Sequence, residues 1–423
     1  MDKTPSDSST PGPASASTAS TTSQKGMTYV CGECHKENEL RSTDVIRYYN
    51  IISKTMSSNE YYAVELGAVT FNIPTRYQDL KLIGTGAYGA VAFARDTIIN
   101  REVAIKKMLK PFQSDIHAKR TYRELKLLIH LNHEDASVVQ LFNVFSSDES
   151  LDKFKTLYFV LNYVTYDLNK LIKRKQPFSE LQIQTLVYAM LRGVKFIHSS
   201  GVIHRDLKPS NIGVDPDLNL SILDFGLARV VTPVGGILTD YVATRWWRAP
   251  EIICSAETYT SKSDVWSIGC IMAELVMLKP IFPGRDQSDQ LTKILGIVGT
   301  PTENKLDEIC DTHSATFVKK NIGQKSKQDF QEYFGNRGLS REGITFLDSL
   351  LQFDPRDRPS VDDALNSPYL TMWHDEEDEP IATPLHDEHQ DATHTVTEWK
   401  SIIWNLMVGF TVPGWVTVSM EED

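Results

Sequence analysis

The chain reads as an α+β protein of two unequal lobes, a small strand-rich lobe with one helix followed by a larger helical lobe. Three observations predict it. From residue 77 to residue 105, short alternating apolar segments are separated by glycine and turn residues, the period of antiparallel strands. Ala118–His130 then carries apolar residues at helical spacing. After Tyr163 the amphipathic pattern is mostly helical. The 423 residues, 41% hydrophobic and 23% charged, have ample material for a buried core and the balance of a folded chain. Subtracting 55 acidic from 44 basic residues gives −11, the wrong sign for binding nucleic acid through the overall field, so no direct nucleic-acid partner is expected.

In chain order, residues 1–70 form an N-terminal extension, read as largely disordered. Twenty of its first 26 residues are Ser, Thr, Pro, Ala or Gly, too little apolar surface to offset the entropy of ordering. Thr4-Pro5 and Thr10-Pro11 within it are possible phosphorylation sites. Cys31-Gly-Glu-Cys34-His35 fits half a zinc knuckle, a redox pair, a haem-attachment string or a turn with two free thiols. Each of the first three lacks its other half, which favours the turn. A short helix is possible over 45–52. Five cysteines, an odd number, point to a reducing compartment. Strands are then expected at 79–83, 90–94, 101–105 and 156–161. In the larger lobe, helices are expected at 181–198 and 263–278, with short strands at 211–214 and 220–223. Residues 401–419 are uncharged and nearly long enough to cross a bilayer, but Asn405, Pro413 and Gly414 interrupt them. A segment packed on its own protein is the preferred reading, and no membrane partner is expected.

Gly84-Thr-Gly86-Ala-Tyr-Gly89-Ala-Val91 places glycines where backbone must approach phosphate oxygens. Strands flank the loop on both sides, which argues for a hairpin lid and against a dinucleotide-binding strand–turn–helix. Fifteen residues after Val91, Val103-Ala-Ile-Lys106 puts Lys106 on the inward face of a strand and Lys107 on the outward face. Glu124 lies on the next helix, and spacing alone leaves its pairing with Lys106 open. Downstream come Val202-Ile-His204-Arg205-Asp206-Leu-Lys208-Pro-Ser-Asn211 and Leu223-Asp224-Phe225-Gly226.

On these strings, residues 77–370 resemble a eukaryotic protein kinase domain, with a bilobal fold divided into 77–163 and 164–370. The resemblance implies ATP and Mg²⁺. Asp206 would accept or orient the substrate hydroxyl proton, Lys208 would neutralise the transferred phosphoryl, and Asn211 and Asp224 would hold Mg²⁺. Lys106, held by Glu124, would reach the α- and β-phosphates. Ile83, Gly84, Gly86, Gly89, Val91 and Ala104 would enclose ATP with Leu161 and the hinge residues Asn162, Tyr163 and Val164. Leu161 is larger than the threonine of several relatives, which predicts poor binding of inhibitors that need space behind ATP. Glu251 with Arg358, and Asp264 with Trp266, would be architectural.

Leu238-Thr239-Asp240-Tyr241-Val-Ala-Thr-Arg245-Trp-Trp-Arg248 resembles the activation segment of mitogen-activated protein kinases, which takes phosphates on Thr239 and Tyr241. Arg120, Arg123, Arg205 and Arg229 would gather phosphothreonine 239, while Arg245 and Arg248 would meet phosphotyrosine 241. Residues 110–124 and the run Asp375–Pro380 are similar to the stress-activated, osmosensing branch. Asp240 and the longer 230–238 segment depart from it. In residues 371–423, a docking segment and tail, Asp375, Glu377 and Asp378 would receive basic linear motifs, and Glu398-Trp-Lys-Ser401 would begin a helix returning to the small lobe. Implied partners are an upstream dual-specificity MAP kinase kinase, protein substrates with Ser/Thr-Pro sites and docking motifs, and phosphatases. The implied location is cytoplasm and nucleus.

Overall fold

A computed structural model describes residues 29–30, 37–38, 60–86, 88–230, 245–255 and 259–418. The chain divides into two units, Met1–Glu60 and Tyr61–Asp423. In the first, β1 (Tyr29–Val30) pairs antiparallel with β2 (Glu37–Asn38), Val30 opposite Glu37. Thr4, Thr10, Cys31, Cys34 and the helix expected over 45–52 lie outside the described residues.

The second unit opens with a hairpin that the sequence reading did not assign, β3 (Tyr61–Leu66), inside the extension, against β4 (Val69–Pro74), which runs past its end at residue 70. β3 alternates exposed with half-buried and buries nothing fully, so its apolar period is weak. β4 buries only Phe71 and Ile73. Next come β5 (Tyr77–Thr85), β6 (Gly89–Asp96), β7 (Arg101–Met108), the helix α1 (Asp115–His130), β8 (Leu141–Phe145) and β9 (Tyr158–Asn162). The strands form one antiparallel sheet in the order β5-β6-β7-β9-β8. Alternation sorts its side chains between two faces. Ala90, Ala92, Val103, Ile105 and Val160 face a small core with Phe71, Ile73 and Tyr77. Met108 and Phe159 join α1 residues Leu125 and Leu128 in a core continuous with the large lobe.

Ser114 starts α1 by accepting from the His117 N–H, with Asp115 in the first turn where the helix dipole favours an anion. The large lobe follows. A three-stranded sheet of β10 (Tyr166–Asp167), β12 (Ile212–Val214) and β13 (Leu220–Ile222) has β12 at its centre, and β11 (Val202–Ile203) pairs with β14 (Arg229–Val230). Beneath lies α2 (Glu180–Ser199), opened by a Ser179–Gln182 capping box. The short α3 (Pro250–Cys254) precedes the buried α4 (Ser261–Met277), which packs on α2 and on α5 (Arg341–Leu350).

Arg358 clamps α3 to this floor. Its Nη1 and Nη2 donate to Glu251 Oε1 and Oε2 at 2.8 and 2.7 Å, and its Nε and Nη2 donate to the carbonyls of Gln352 and Phe353. Both charges are buried, and the guanidinium also lies over the Trp266 ring, so the pair expected from the sequence is one element of a fully desolvated node.

The tail returns to the small lobe, as expected. α6 (Val396–Val408) starts with a Thr395–Glu398 capping box and buries Trp399 and Ile403; Trp399 lies 5.0 Å from Tyr122 of α1, and Trp404 5.1 Å from Phe154. Beyond Pro413, α7 (Gly414–Val418) sinks Val416 into the small core and sets Trp415 edge-on to Phe142. Among the described residues no helix is long and apolar enough to cross a membrane.

Removing one partner of a buried pair leaves the other charge without compensation. Arg358→Ala is therefore expected to lower unfolding stability by about 3–5 kcal/mol. A denaturant titration checks this, and a loss under about 1 kcal/mol, the range of an exposed pair, would contradict it.

Candidate active site

The cleft between the lobes is assembled from strand register. β6 pairs with β7 so that Val91 lies opposite Lys106, and β7 pairs with β9 so that Ala104 lies opposite Leu161. The glycine turn thus sits directly over the lysine. Gly86 N–H donates to the Gly89 carbonyl at 2.8 Å, and a Cβ at Gly89 would stand 3.1 Å from Lys106 Cε, so a side chain there would crowd the lysine. Leu82 and Ile83 remain exposed at the mouth, and Ala104 is buried behind. Leu161 and Asn162 end β9, and Tyr163 meets Phe93 edge-on at 4.9 Å. Val164 packs where a Cβ of Gly213 would lie, so the predicted adenine-side residues share one region at the lobe junction.

Lys106 does pair with Glu124 of α1, and its Nζ is also 3.8 Å from Asp224 Oδ1. Burial alone would lower the ammonium's pKa, but Glu124 and then Asp224 hold it above its ordinary value. Lys107, on the other face as expected, donates to the Thr70 carbonyl of β4 and lies over Tyr158.

The catalytic loop follows β11. Asp206 Oδ2 accepts from Lys208 Nζ at 2.6 Å and from Asn211 Nδ2 at 3.0 Å, and Asn211 Nδ2 also reaches the Asp206 carbonyl at 2.9 Å. The amide of Asn211 is thus spent on Asp206, leaving its Oδ1 as an oxygen donor. Asp224 adopts φ 65°, a left-handed conformation uncommon outside glycine, and its Oδ1 accepts from Gly226 N–H at 3.2 Å. Burial pushes its carboxyl up, but Lys106, the Gly226 N–H and Arg120 more than offset this and hold it below the usual range. Ionised Asp224 and the Asn211 carbonyl are hard oxygen donors of the kind Mg²⁺ takes.

The sequence reading gave no role to His204. Its ring lies 5.5 Å from Phe225 and contacts the Leu223 carbonyl at 3.1 Å, joining the catalytic loop to the magnesium loop. Asp264 secures the catalytic-loop end of that join. Its Oδ2 and Oδ1 accept from the backbone N–H groups of His204 and Arg205, each at 2.9 Å, and Oδ2 lies 2.8 Å from His198 Nε2. Burial would raise Asp264, yet His198, His204 and the Arg205 N–H hold it below its ordinary value.

Thr239 and Tyr241 lie outside the described residues. Of the arginines assigned to their phosphates, Arg120 and Arg123 lie on α1, Arg229 begins β14, where Ile203 of β11 opposes it, and Arg205 follows β11. Burial first, then the charges of Arg123 and Arg229, hold Lys119 below its ordinary value, so the two elements bring their cations to one place. The Nε atoms of Arg120 and Arg229 are buried and have no hydrogen-bond partner among the described residues. Arg205 lies over Tyr259 and donates to the Leu227 carbonyl, Arg245 donates to the Arg285 carbonyl, and Arg248 lines a small cavity with Tyr259.

The acidic run divides in two. Asp375, Glu376, Glu377 and Asp378 are exposed, whereas Glu379 is buried between Lys195 Nζ at 2.9 Å and His374 Nδ1 at 2.8 Å. Arg192 donates to the Asp378 carbonyl at 2.7 Å and fixes the run on α2. Neither Lys195 nor Arg192 shows in the local sequence, because each lies more than 180 residues from its partner in the run, whereas His374 is only five residues from Glu379.

Residues 77–370, more than two thirds of the chain, match the protein kinase domain family. Over 350 residues the chain is 44% identical to mitogen-activated protein kinase pmk-1 of Caenorhabditis elegans, spanning 83% of this chain and 90% of that protein. It is 41% identical to mitogen-activated protein kinase 14 of Xenopus laevis (87% of this chain, all of that one) and 42% identical to mitogen-activated protein kinase sty1 of Schizosaccharomyces pombe (83% and 97%). The chain is a mitogen-activated protein kinase. The kinase is accordingly a serine/threonine protein kinase, and Asp206, Lys208, Asn211 and Asp224 are the residues its sequence puts at the family's motif positions. Residues 24–48 of the same chain match a second family, a zinc ribbon described as DNA directed RNA polymerase, 7 kDa subunit. The match contains Cys31 and Cys34, half of the four ligands a structural zinc takes.

On α4, Glu274 Oε2 accepts from Trp247 Nε1 at 2.8 Å, and burial pushes its carboxyl up to about 7. The folded state thus keeps a proton that the unfolded chain releases near 4.5, so this group's contribution to stability falls as pH rises between 4.5 and about 7. The full penalty, at most about 3 kcal/mol, is present above that window. Glu274→Gln is expected to gain stability over the parent as pH rises through it. Thermal midpoints at either end check this, and a gap independent of pH would refute it.

Proposed function

We propose that this kinase transfers the γ-phosphate of MgATP to serine or threonine followed by proline, in a stress-responsive cascade, and is switched on by dual phosphorylation of Thr239 and Tyr241. One observation carries the reading. Asp206 is held through Oδ2 by Lys208 and Asn211, which leaves Oδ1 for a substrate hydroxyl, while Lys106 joins Glu124 to Asp224 across the cleft.

The chemistry needs positioning and charge more than a strong nucleophile, because charge spreads over the phosphoryl oxygens in the transition state. Lys106 anchors the α- and β-phosphates beneath the glycine turn. Asp206 Oδ1 orients the attacking hydroxyl and receives its proton, and Lys208 places a cation beside that carboxylate. Asn211 Oδ1 and Asp224 would hold Mg²⁺, which supplies neutralisation of the β- and γ-phosphate oxygens.

Support for the switch comes from the arginines. A phosphate on Thr239 would add roughly −1.5 to −2 charge where Arg120, Arg123, Arg205 and Arg229 assemble, and would give the buried Nε atoms of Arg120 and Arg229 an acceptor. Phosphate transfer to a Ser-Pro peptide tests both parts. The doubly phosphorylated kinase is expected to be active, with the unphosphorylated chain and the phosphorylated Asp206→Asn variant near background. Equal activity in both phosphoforms would discard the switch, and silence in every form would favour a non-catalytic scaffold.

Upstream kinases, substrates and phosphatases would dock on the exposed part of the acidic run. Asp375, Glu377 and Asp378 offer the sign of charge that steers basic peptides, and exposed Met372 and Ile381 flank them with apolar surface. Reversing the three charges to lysine is expected to weaken activation by an upstream kinase at least tenfold, with turnover of a short peptide unchanged. Steady-state kinetics of both reactions check it, and an equal loss in both would sink the docking role.

A further inference from the structure

The tip of the glycine turn carries an aromatic residue, Tyr88, that phosphate binding does not require. Its carbonyl accepts from the Leu109 N–H at 2.9 Å, and the residue is half-buried. The Arg120 guanidinium carbon lies only 3.6 Å from the centroid of that ring. His117, one turn earlier on α1 and 2.8 Å from Ser114 Oγ through Nδ1, stands 6.2 Å away on the same face of the helix. On its other side, Arg120 presses on the magnesium loop. A Cβ at Gly226 would lie 2.7 Å from Nη2 and 3.0 Å from Nε, so a side chain there would displace this arginine. One guanidinium is thus packed between the phosphate lid and the residues after Asp224.

We propose that Tyr88 is a positioning residue, which ties the tip of the glycine-rich hairpin to α1 through the flat face of Arg120. The lid then takes its nucleotide-binding position together with the helix that supplies Glu124 to Lys106. A guanidinium stacks through its face and donates through its edge, so the stack leaves the buried Nε available to an anion. Resting on the reading that Thr239 is phosphorylated, the same arginine carries that event to the lid: a phosphate gripping the edge of Arg120 fixes its face, and the face fixes Tyr88. Both members of the stack are half-buried, and such interactions affect binding by roughly fivefold to thirtyfold.

Calorimetric binding of MgADP to the full unphosphorylated chain tests the stack without activity or phosphorylation. Tyr88→Ala is expected to weaken binding roughly fivefold to thirtyfold. Tyr88→Phe, which keeps the ring, is expected to restore it to within about twofold. Arg120→Lys, which keeps the charge and loses the plane, should weaken binding as Tyr88→Ala does, and the double variant should be no worse than either single one. Equal losses in Tyr88→Ala and Tyr88→Phe, or fully additive losses in the double variant, would overturn the proposal, because Tyr88 would then act without Arg120. Repeating the titration on Thr239-phosphorylated chain tests the relay. Tighter MgADP binding in the parent and in Tyr88→Phe but not in Tyr88→Ala supports it. Equal tightening in all three overturns the relay, and no tightening in the parent overturns the role of Thr239 while the unphosphorylated data still decide the stack.

Discussion

The buried pair between Lys106 and Glu124 is the constraint to which much of the structure answers. An ion pair inside a protein is a poor source of net stability, because desolvation consumes most of what the attraction returns. Its presence here therefore has to be enforced by packing. Lys106 is fixed by its strand, whose neighbours Val103 and Ile105 are buried in the small core. Glu124 is fixed only if α1 stays in place, and α1 is held by contacts from distant parts of the chain. Leu125 and Leu128 sink into the large core, Trp399 packs against Tyr122, and Tyr122 donates to Asp387 at 2.6 Å. Lys119 donates to the Ala392 carbonyl. The segment after the kinase domain thus works as the rear support of the active site.

This arrangement explains which parts could be read from the sequence. The glycine turn, Lys106, Asp206, Asn211 and Asp224 were legible because phosphate chemistry admits few residue types at each place and each signal is local. α1 was legible from its spacing, and α6 from the resemblance of Glu398-Trp-Lys-Ser401 to a returning helix. The β3–β4 hairpin was not, since it contributes two fully buried side chains, Phe71 and Ile73, and one of its strands contributes none. β8 was missed for the opposite reason. Leu141–Phe145 is almost continuously buried and shows no alternation to separate a strand from a turn of helix.

Long-range pairing set a second limit. Glu379 reads as one of five similar acidic residues, yet it is buried by Lys195 and His374 while its neighbours stay in water. Asp264 reads as a structural carboxylate by analogy, but that it holds the backbone of His204 and Arg205 follows only from the meeting of α4 with the catalytic loop. In both cases the residue type was visible and the distant partner, Lys195 for Glu379 and the His204–Arg205 backbone for Asp264, was not, because the pairing joins groups far apart in the chain.

Charge sets the last constraint on α1. The chain as a whole carries −11, yet Arg123 of α1 and Arg229 of β14 stand close enough to Lys119 that, after burial, their charges hold its ammonium below the ordinary value, while Asp391 and Asp387 act in the opposite sense. Arg120, on the same helix, bears on Gly226 and on the ring of Tyr88. The helix that brings Glu124 to Lys106 therefore meets the loop after Asp224 and the glycine turn at its front, while the tail packs against its back.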